Sequence, residues 1–422
     1  MNIQTFRAFK NRNYALFFTG QTISQIGTWM QRTGLVWLMY AMTNSTWTAS
    51  LTLFASYAPT CIFSLYGGIL ADRYDRYKIL LITQTASMLQ AILLAVLVLT
   101  NKFISWEIFA LTALLATINA FDVPARQPMV HEMVDNKEDL ANAVALNSSM
   151  VNLARIAGPA LSGIVYAKYG PGICFLLNAL SFVAVITSLL LMKLPKHTPT
   201  LVKKKIMTEL SEGFTYLKRT PAISLIILMF SLVSFFVLSY EPLLLAFAKV
   251  VFKGDVATYG YIKSFIGIGA IVGTFFLASL KPGTDLKIVL LFNTIILGVG
   301  LMVFSHISYF PLAMLFATMF GFGAMTQSTI CLTIIHTHSD PKMRGRVMGY
   351  VAMSLFGMLP LGALLAGFIS KYFGEPTILL YQGILALVIA ALFAKFLRSD
   401  RLSKKEKKEF KETEGEKIDN IQ

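Results

Sequence analysis

The side chains of this chain that could do chemistry are few, and they stand where charge is costly. Glu241 lies deep in a long apolar run, 221–247, directly before Pro242. Arg32 lies well inside another run, 14–40; Arg155 is in the middle of a third and Lys263 just inside a fourth. An ionisable group near the centre of a bilayer costs about 2.5–3.5 kcal/mol on insertion scales, so each is a functional candidate by default. Glu241 is the only acid well inside any run. Burial and a nearby arginine act on a carboxyl in opposite senses, a balance suited to a group that must take up and release a proton. The pattern therefore predicts Glu241 as a coupling acid and Arg32 as its modulator, facing each other across a central space. A static ion pair joining two parts of the molecule is the competing reading. Arg155 reads more strongly as a bridge between helices than as a cavity residue, and Lys263 is placed to snorkel outward. Gln25 and Gln31 share a helix with Arg32 and are the better candidates for touching a substrate. Asn119, Asn147, Asn178, Asn293 and Gln327 read as interhelical glue.

The elements that must hold these groups follow from composition. Of 422 residues, 55% are hydrophobic and 14% charged, too little polar surface for a soluble fold of this size. About twelve apolar runs are each long enough for the roughly 20 residues that cross a hydrocarbon core, and in lipid such runs must be helices. The expectation is an all-α membrane protein of twelve transmembrane helices in two pseudo-symmetric six-helix bundles. The halves are 1–193 and 221–397, joined by a basic linker, 194–220, and followed by a charged, poorly ordered tail, 398–422. Duplication is visible directly: GPALSGIVYAKYG, from Gly158 to Gly170, is echoed by GALLAGFISKYFG, from Gly362 to Gly374. Duplication around a central cavity is a transporter design. Gly158, Gly163, Gly362 and Gly367 allow close helix approach, and Pro159 favours a kink. Ordinary packing and a bending, gating helix both fit.

The net charge of +15 would suggest nucleic acid only if its distribution were ignored. Arg73, Arg76, Lys78, Lys203, Lys204, Lys205, Lys342, Arg344 and Arg346 fall in loops on one side, and only Lys102, Lys168, Lys249, Lys253 and Lys371 on the other. This positive-inside asymmetry places both termini in the cytoplasm of a multi-pass cell-membrane protein. Cys61, Cys174 and Cys331 lie inside apolar runs without paired spacing, so neither a disulfide nor a metal site is expected. His336 and His338 lack a carboxylate partner. A Walker loop and a nucleophile–base pair are both missing, which argues against an ATP-driven pump and against an enzyme.

One loop is specific. GGILADRYDRYK, Gly67 to Lys78, places Gly68, Leu70, Ala71, Asp72, Arg73 and Arg76 in the order G-x-L-A-D-R-x-x-R between the second and third runs. The motif, its position and the twelve-run layout resemble the major facilitator superfamily. The stretches DVPARQPMV from Asp122, EDLANAVALNSSMVNLARIAGPALSG from Glu138 and DPKMRGRVMGYVAMSLFGMLPLGALLAG from Asp340 look like the branch containing the enterobactin exporter and macrolide efflux proteins. AGPALSG is similar to the G-P-x-x-G element of antiporters. Asp75 stands where glycine is common, and the second-half counterpart, LASLKPGTDLK from Leu277, lacks the Asp-Arg pair. The resemblance implies alternating access, with a latch in the first half only. Asp72 would face the helix start near Gly345, and Arg76 would reach Asp122, with Arg126 beside it, when the cavity opens outward. It implies a proton antiporter exporting a small amphipathic molecule (siderophore, macrolide or other drug), acting as a monomer in the bilayer without cofactors. A lipid or lysolipid flippase of the same fold is the alternative. A non-transporting receptor or scaffold has little reason to carry Arg32 and Glu241.

Overall fold

The computed structural model describes residues 3–134, 136–192, 206–281, 283–340 and 343–419, and these are helical apart from short connections. After a 3₁₀ turn, Ile3–Lys10, the helices are α1 (Arg12–Thr43), α2 (Thr46–Arg73), α3 (Arg76–Leu99), α4 (Ser105–Glu132), α5 (Lys137–Tyr169), α6 (Pro171–Leu191) and α7 (Ile206–Arg219). They continue with α8 (Pro221–Val251), α9 (Val256–Ala278), α10 (Leu286–Phe304), α11 (Phe310–His338), α12 (Arg344–Phe373) and α13 (Glu375–Asp419). Ten of these are long and apolar enough to cross a membrane, and α2, bent by 51° between Ser64 and Tyr66, makes eleven. α1 has the length, 32 residues, but its buried face carries Gln21, Ser24, Gln31 and Thr33. Its polarity is directed at neighbouring helices, so it completes the twelve.

Local chemistry sets the ends. Asp75 caps α3 by accepting from the Tyr77 amide at 3.0 Å, and Asp255 caps α9 by accepting from the amides of Ala257 and Thr258, which satisfies donors a helix start would otherwise leave bare. The two copies of the repeat end alike: Gly170 and Gly374 take φ of 82° and 78°, a conformation that favours glycine.

α1 to α6 pack mainly on one another, as do α8 to α13; across the divide, α5 meets α9 and α2 meets α12. The duplicated glycines divide this work in the same way in each copy. Gly158 lies against Trp29 of its own half and Gly362 against the Phe235 backbone of its own half. Gly163 lies against Ala257, and Gly367 against Ser50 and Thr46, each across the divide. Thr46 donates to Glu375 at 2.6 Å, Lys249 to Asn44 at 2.5 Å, and Ser264 to the Ile156 carbonyl at 3.1 Å. All of these lie toward the face opposite the one where α1 begins. Toward the starting face, a side chain at Gly68 of α2, or at Gly345 or Gly349 of α12, would meet nothing within 4 Å. The contacts across the divide cluster toward the far face.

Backbone irregularity is not where the sequence suggested. α5 runs unbroken through Pro159, in keeping with the tolerance of proline in membrane helices packed by neighbours. Beside the bend in α2, the breaks among the described residues are a 3₁₀ turn, Leu238–Tyr240, and π-turns at Phe247–Val251 and Ser354–Met358. π-turns commonly mark functional sites. α13 continues to Asp419. α7 is the amphipathic part of the linker and is tied to the second half. Glu212 pairs with Arg346 at 2.6 Å, and the Tyr216 hydroxyl accepts from the Asp340 amide at 3.1 Å. Lys203, Lys204, Lys205 and Lys342 lie outside the described residues.

Candidate functional site

The embedded charges converge where the halves meet. Glu241 follows the 3₁₀ turn of α8, where Ser239 leaves helical geometry, and Pro242 restarts the helix. This break turns Glu241 toward α9, where Lys263 forms a close ion pair with it. Both side chains are largely buried, 12% exposed for Lys263 and 19% for Glu241. Lys263 therefore does not snorkel: a carboxylate within reach compensates its charge where it stands, and the surface offers nothing better. Arg32, expected as Glu241's modulator, lays its guanidinium over the Tyr57 ring at 4.1 Å and the Trp29 ring at 5.2 Å. It stays within electrostatic range of Glu241. The lysine on the adjoining helix of the same half takes the direct contact.

Trp29 is the hub. Arg32, Arg155 and Lys263 approach its indole at 5.2, 5.5 and 6.0 Å, each within the range of cation–π attraction. Arg155 also touches the Met325 sulfur of the second half at 3.6 Å. Nε and Nη2 of Arg32, and Nε of Arg155, are buried with no hydrogen-bond partner among the described residues. Gln25, Trp29 and Arg32 follow one stripe of α1, at i, i+4 and i+7, and Gln25 is half-buried. Gln31 points elsewhere: its amide donates to Gln90 at 3.2 Å and accepts from Asn178 at 2.8 Å. These bonds stitch α1 to α3 and α6 beside a cavity of about 80 Å³ lined by Thr28, Gln31, Arg32, Ser56, Gln90 and Asn119. Asn293 and Gln327 do similar stitching in the second half.

At the near face, the contacts of the Gly67–Lys78 loop among the described residues lie within its own half. Arg76 pairs with Glu132 at 2.7 Å and with Asp72 at 3.7 Å, and donates to the Ala71 carbonyl. Asp72 is 61% exposed. Arg76 does not reach Asp122. Glu132 stands ten residues further along α4, about 15 Å nearer the face. Asp122 is buried and accepts from Thr83 at 2.9 Å and Gln84 at 2.7 Å, with Arg126 paired to it at 3.2 Å.

Residues 3–420 match the family model described as a transmembrane secretion effector. This chain belongs to that family, within the major facilitator superfamily. This transporter is 25% identical to the staphyloferrin A transporter of Staphylococcus aureus, covering 89% of this chain and 94% of the relative. It is 23% identical to the multidrug efflux pump Tap of Mycolicibacterium fortuitum, over 87% and 92%, and 26% identical to the enterobactin exporter of Salmonella typhimurium, over 77% and 78%. Among solved structures it resembles a POT family transporter complexed with 5-aminolevulinic acid, with TM-score 0.75 at 14% identity, covering 92% of this chain and 96% of the other. A bacterial homologue of the lysosomal transporter Spinster matches with TM-score 0.69 at 13% identity, over 90% and 96%. At these identities the structural likeness speaks for the fold alone. The transporter is a multi-pass membrane protein and not an enzyme.

Four participants were not singled out from the sequence: Trp29, Tyr57 and Tyr259 (its ring 5.8 Å from the Lys263 ammonium) around the cations, and Glu132 beneath Arg76. Trp29 carried a usable signal, lying one turn from both Gln25 and Arg32. Glu132 carried none, because its pairing depends on where α4 ends relative to the loop.

Proposed function

We propose that this chain is a proton-coupled exporter of a small amphipathic compound, a siderophore or a drug, with both termini in the cytoplasm. The observation that carries the reading is the Glu241–Lys263 pair: an acid held by a single close cation, in the seam between two halves that touch at Gly163 and Gly367. A proton arriving on Glu241 would break that pair, which gives a way to link protonation to the packing of α8 on α9. The orientation rests on charge. Arg73, Arg76, Lys78, Arg344 and Arg346 lie toward the near face, against Lys102, Lys168, Lys249, Lys253 and Lys371 toward the far one, the asymmetry of a cytoplasmic near face. With that orientation the conformation described is open to the cytoplasm, ready to load.

Residues 1–193 and 221–397 then act as two bodies that rock about the site, a monomer being sufficient. The contacts at Gly163 and Gly367 close the outer gate, and loading loosens them. The loop carrying Gly68, Asp72, Arg73 and Arg76 would close against the start of α12 as the outer side opens, the exposed Asp72 being its disengaged form. Gln25 and Arg155 line the cargo path, whereas Gln31, Asp122 and Arg126 hold the first half in shape. The reported cargoes of the relatives, staphyloferrin A and enterobactin, together with multidrug efflux, set the panel to try. In proteoliposomes, Glu241→Gln should retain cargo counterflow and lose efflux driven by an imposed pH difference. Efflux that still follows the pH difference in this variant overturns the coupling assignment.

A further inference from the structure

We propose that the central site takes a small polycarboxylate, so that the exported compound carries at least two negative charges where it binds. The inference deepens the export reading and rests on it. Around Trp29 stand three cations, Arg32, Arg155 and Lys263, and one acid, Glu241. The sum is three positive against one negative, net +2. The four groups lie within electrostatic range of one another, so the two arginines repel each other and Lys263 in a setting that screens charge poorly. Glu241 is committed to Lys263, which leaves both arginines without a carboxylate among the described residues.

Aromatic faces hold the guanidiniums in place, and Arg32 also donates a hydrogen bond to Tyr57, but most of the donors are left over. Nε and Nη2 of Arg32 and Nε of Arg155 stay buried and unpartnered, an expensive arrangement for groups that form their strongest bonds with anions. A planar guanidinium fork fits a carboxylate with two parallel bonds. Two such forks beside one indole fit a molecule with two or more carboxylates and a short, partly apolar body against Trp29 and Tyr57. A cationic drug would meet the net positive charge, and an uncharged macrolide would leave the donors bare. The same donors could hold the phosphate of an anionic lipid, so the test separates a soluble carboxylate from a headgroup.

The full-length protein in phosphatidylcholine nanodiscs is titrated calorimetrically with tricarballylate, with its trimethyl ester and with tetraphenylphosphonium. Tricarballylate should bind, and the ester about tenfold more weakly or less, the factor expected when hydrogen bonds to charged groups are lost. Arg32→Gln and Arg155→Gln should each weaken tricarballylate by about tenfold or more, and Arg32→Lys should restore part of the loss. Unchanged melting of the ligand-free variants shows that they fold. Binding of tetraphenylphosphonium in preference to tricarballylate overturns the proposal, as does undiminished binding by both glutamine variants. Stabilisation by phosphatidylglycerol nanodiscs without any response to tricarballylate assigns the donors to lipid and also overturns it. Cysteine accessibility from both faces is read on the same preparation. Exposure that switches sides without tricarballylate binding rejects the cargo class alone; exposure that never switches rejects the export reading and this inference with it.

Discussion

Lys263 and Asp122 show how a buried charge is made tolerable, and each yields a prediction. Lys263→Ala leaves Glu241 embedded beside α9 without its close cation. Breaking a buried pair from one side costs about 3–5 kcal/mol, and the partial exposure of both groups puts the expected loss at the lower end. Thermal melting followed by size-exclusion chromatography should show a lower midpoint for Lys263→Ala. The double variant Lys263→Met with Glu241→Gln should recover most of the loss while remaining uncoupled. Asp122 and Asp72 are both acids of the first half, yet they should behave differently. Asp122 accepts two hydrogen bonds and faces Arg126, so Asp122→Ala should lower the melting midpoint with no preference for either conformation. Asp72 is exposed and weakly paired. Asp72→Asn should leave melting unchanged and raise the share of molecules labelled at a near-face reporter cysteine, because it weakens only the outward-open state.

At the scale of the helix, the duplicated glycines separate packing from gating. A Cβ at Gly163 would run into the Ala257 backbone, and one at Gly367 into Ser50 and the Thr46 carbonyl, both across the divide. Gly163→Val and Gly367→Val should therefore disfavour the far-face contact while leaving each half folded. Maleimide labelling of a cysteine at Thr46, in a background lacking the three native cysteines, should rise in both variants. Gly158 and Gly362 abut their own halves, at Trp29 and the Phe235 carbonyl. Valine at these positions should lower stability without raising that labelling. Equal labelling in all four variants would remove the distinction.

For the whole molecule, the distinguishing property is asymmetry along the membrane normal: glycines of α2 and α12 are packed tightly across the divide at the far end, and those at the near end face open space. Cysteines at Thr46 and Glu375, whose native side chains meet across the divide at 2.6 Å, oxidised to a disulfide, should hold the far face shut. Such a protein should still bind cargo presented from the near face, lose counterflow, and regain it on reduction. Counterflow that survives oxidation would mean that the far-face contact is not the gate. α7, fastened to the second half through Glu212–Arg346, should travel with that half during the cycle.

The fold was legible in the residues because lipid leaves few choices. Runs of about 20 apolar residues must be helices, and the copies ending at Gly170 and Gly374 reveal the duplication without coordinates. The cast of the site was legible for a related reason: Glu241, Arg32 and Arg155 are conspicuous because charge in hydrocarbon is costly. Who pairs with whom was not. Glu241 binds Lys263 and not Arg32, Arg76 binds Glu132 and not Asp122, and Trp29 gathers three cations, because such pairings depend on helix rotation and depth to within an ångström or two. The sequence by itself determined the helices, their repeat and the type of charge the membrane must hide. Only the tertiary structure decided which charges neutralise one another and which two are left over, since hydropathy is summed along one chain and ion pairing is settled between helices distant in it.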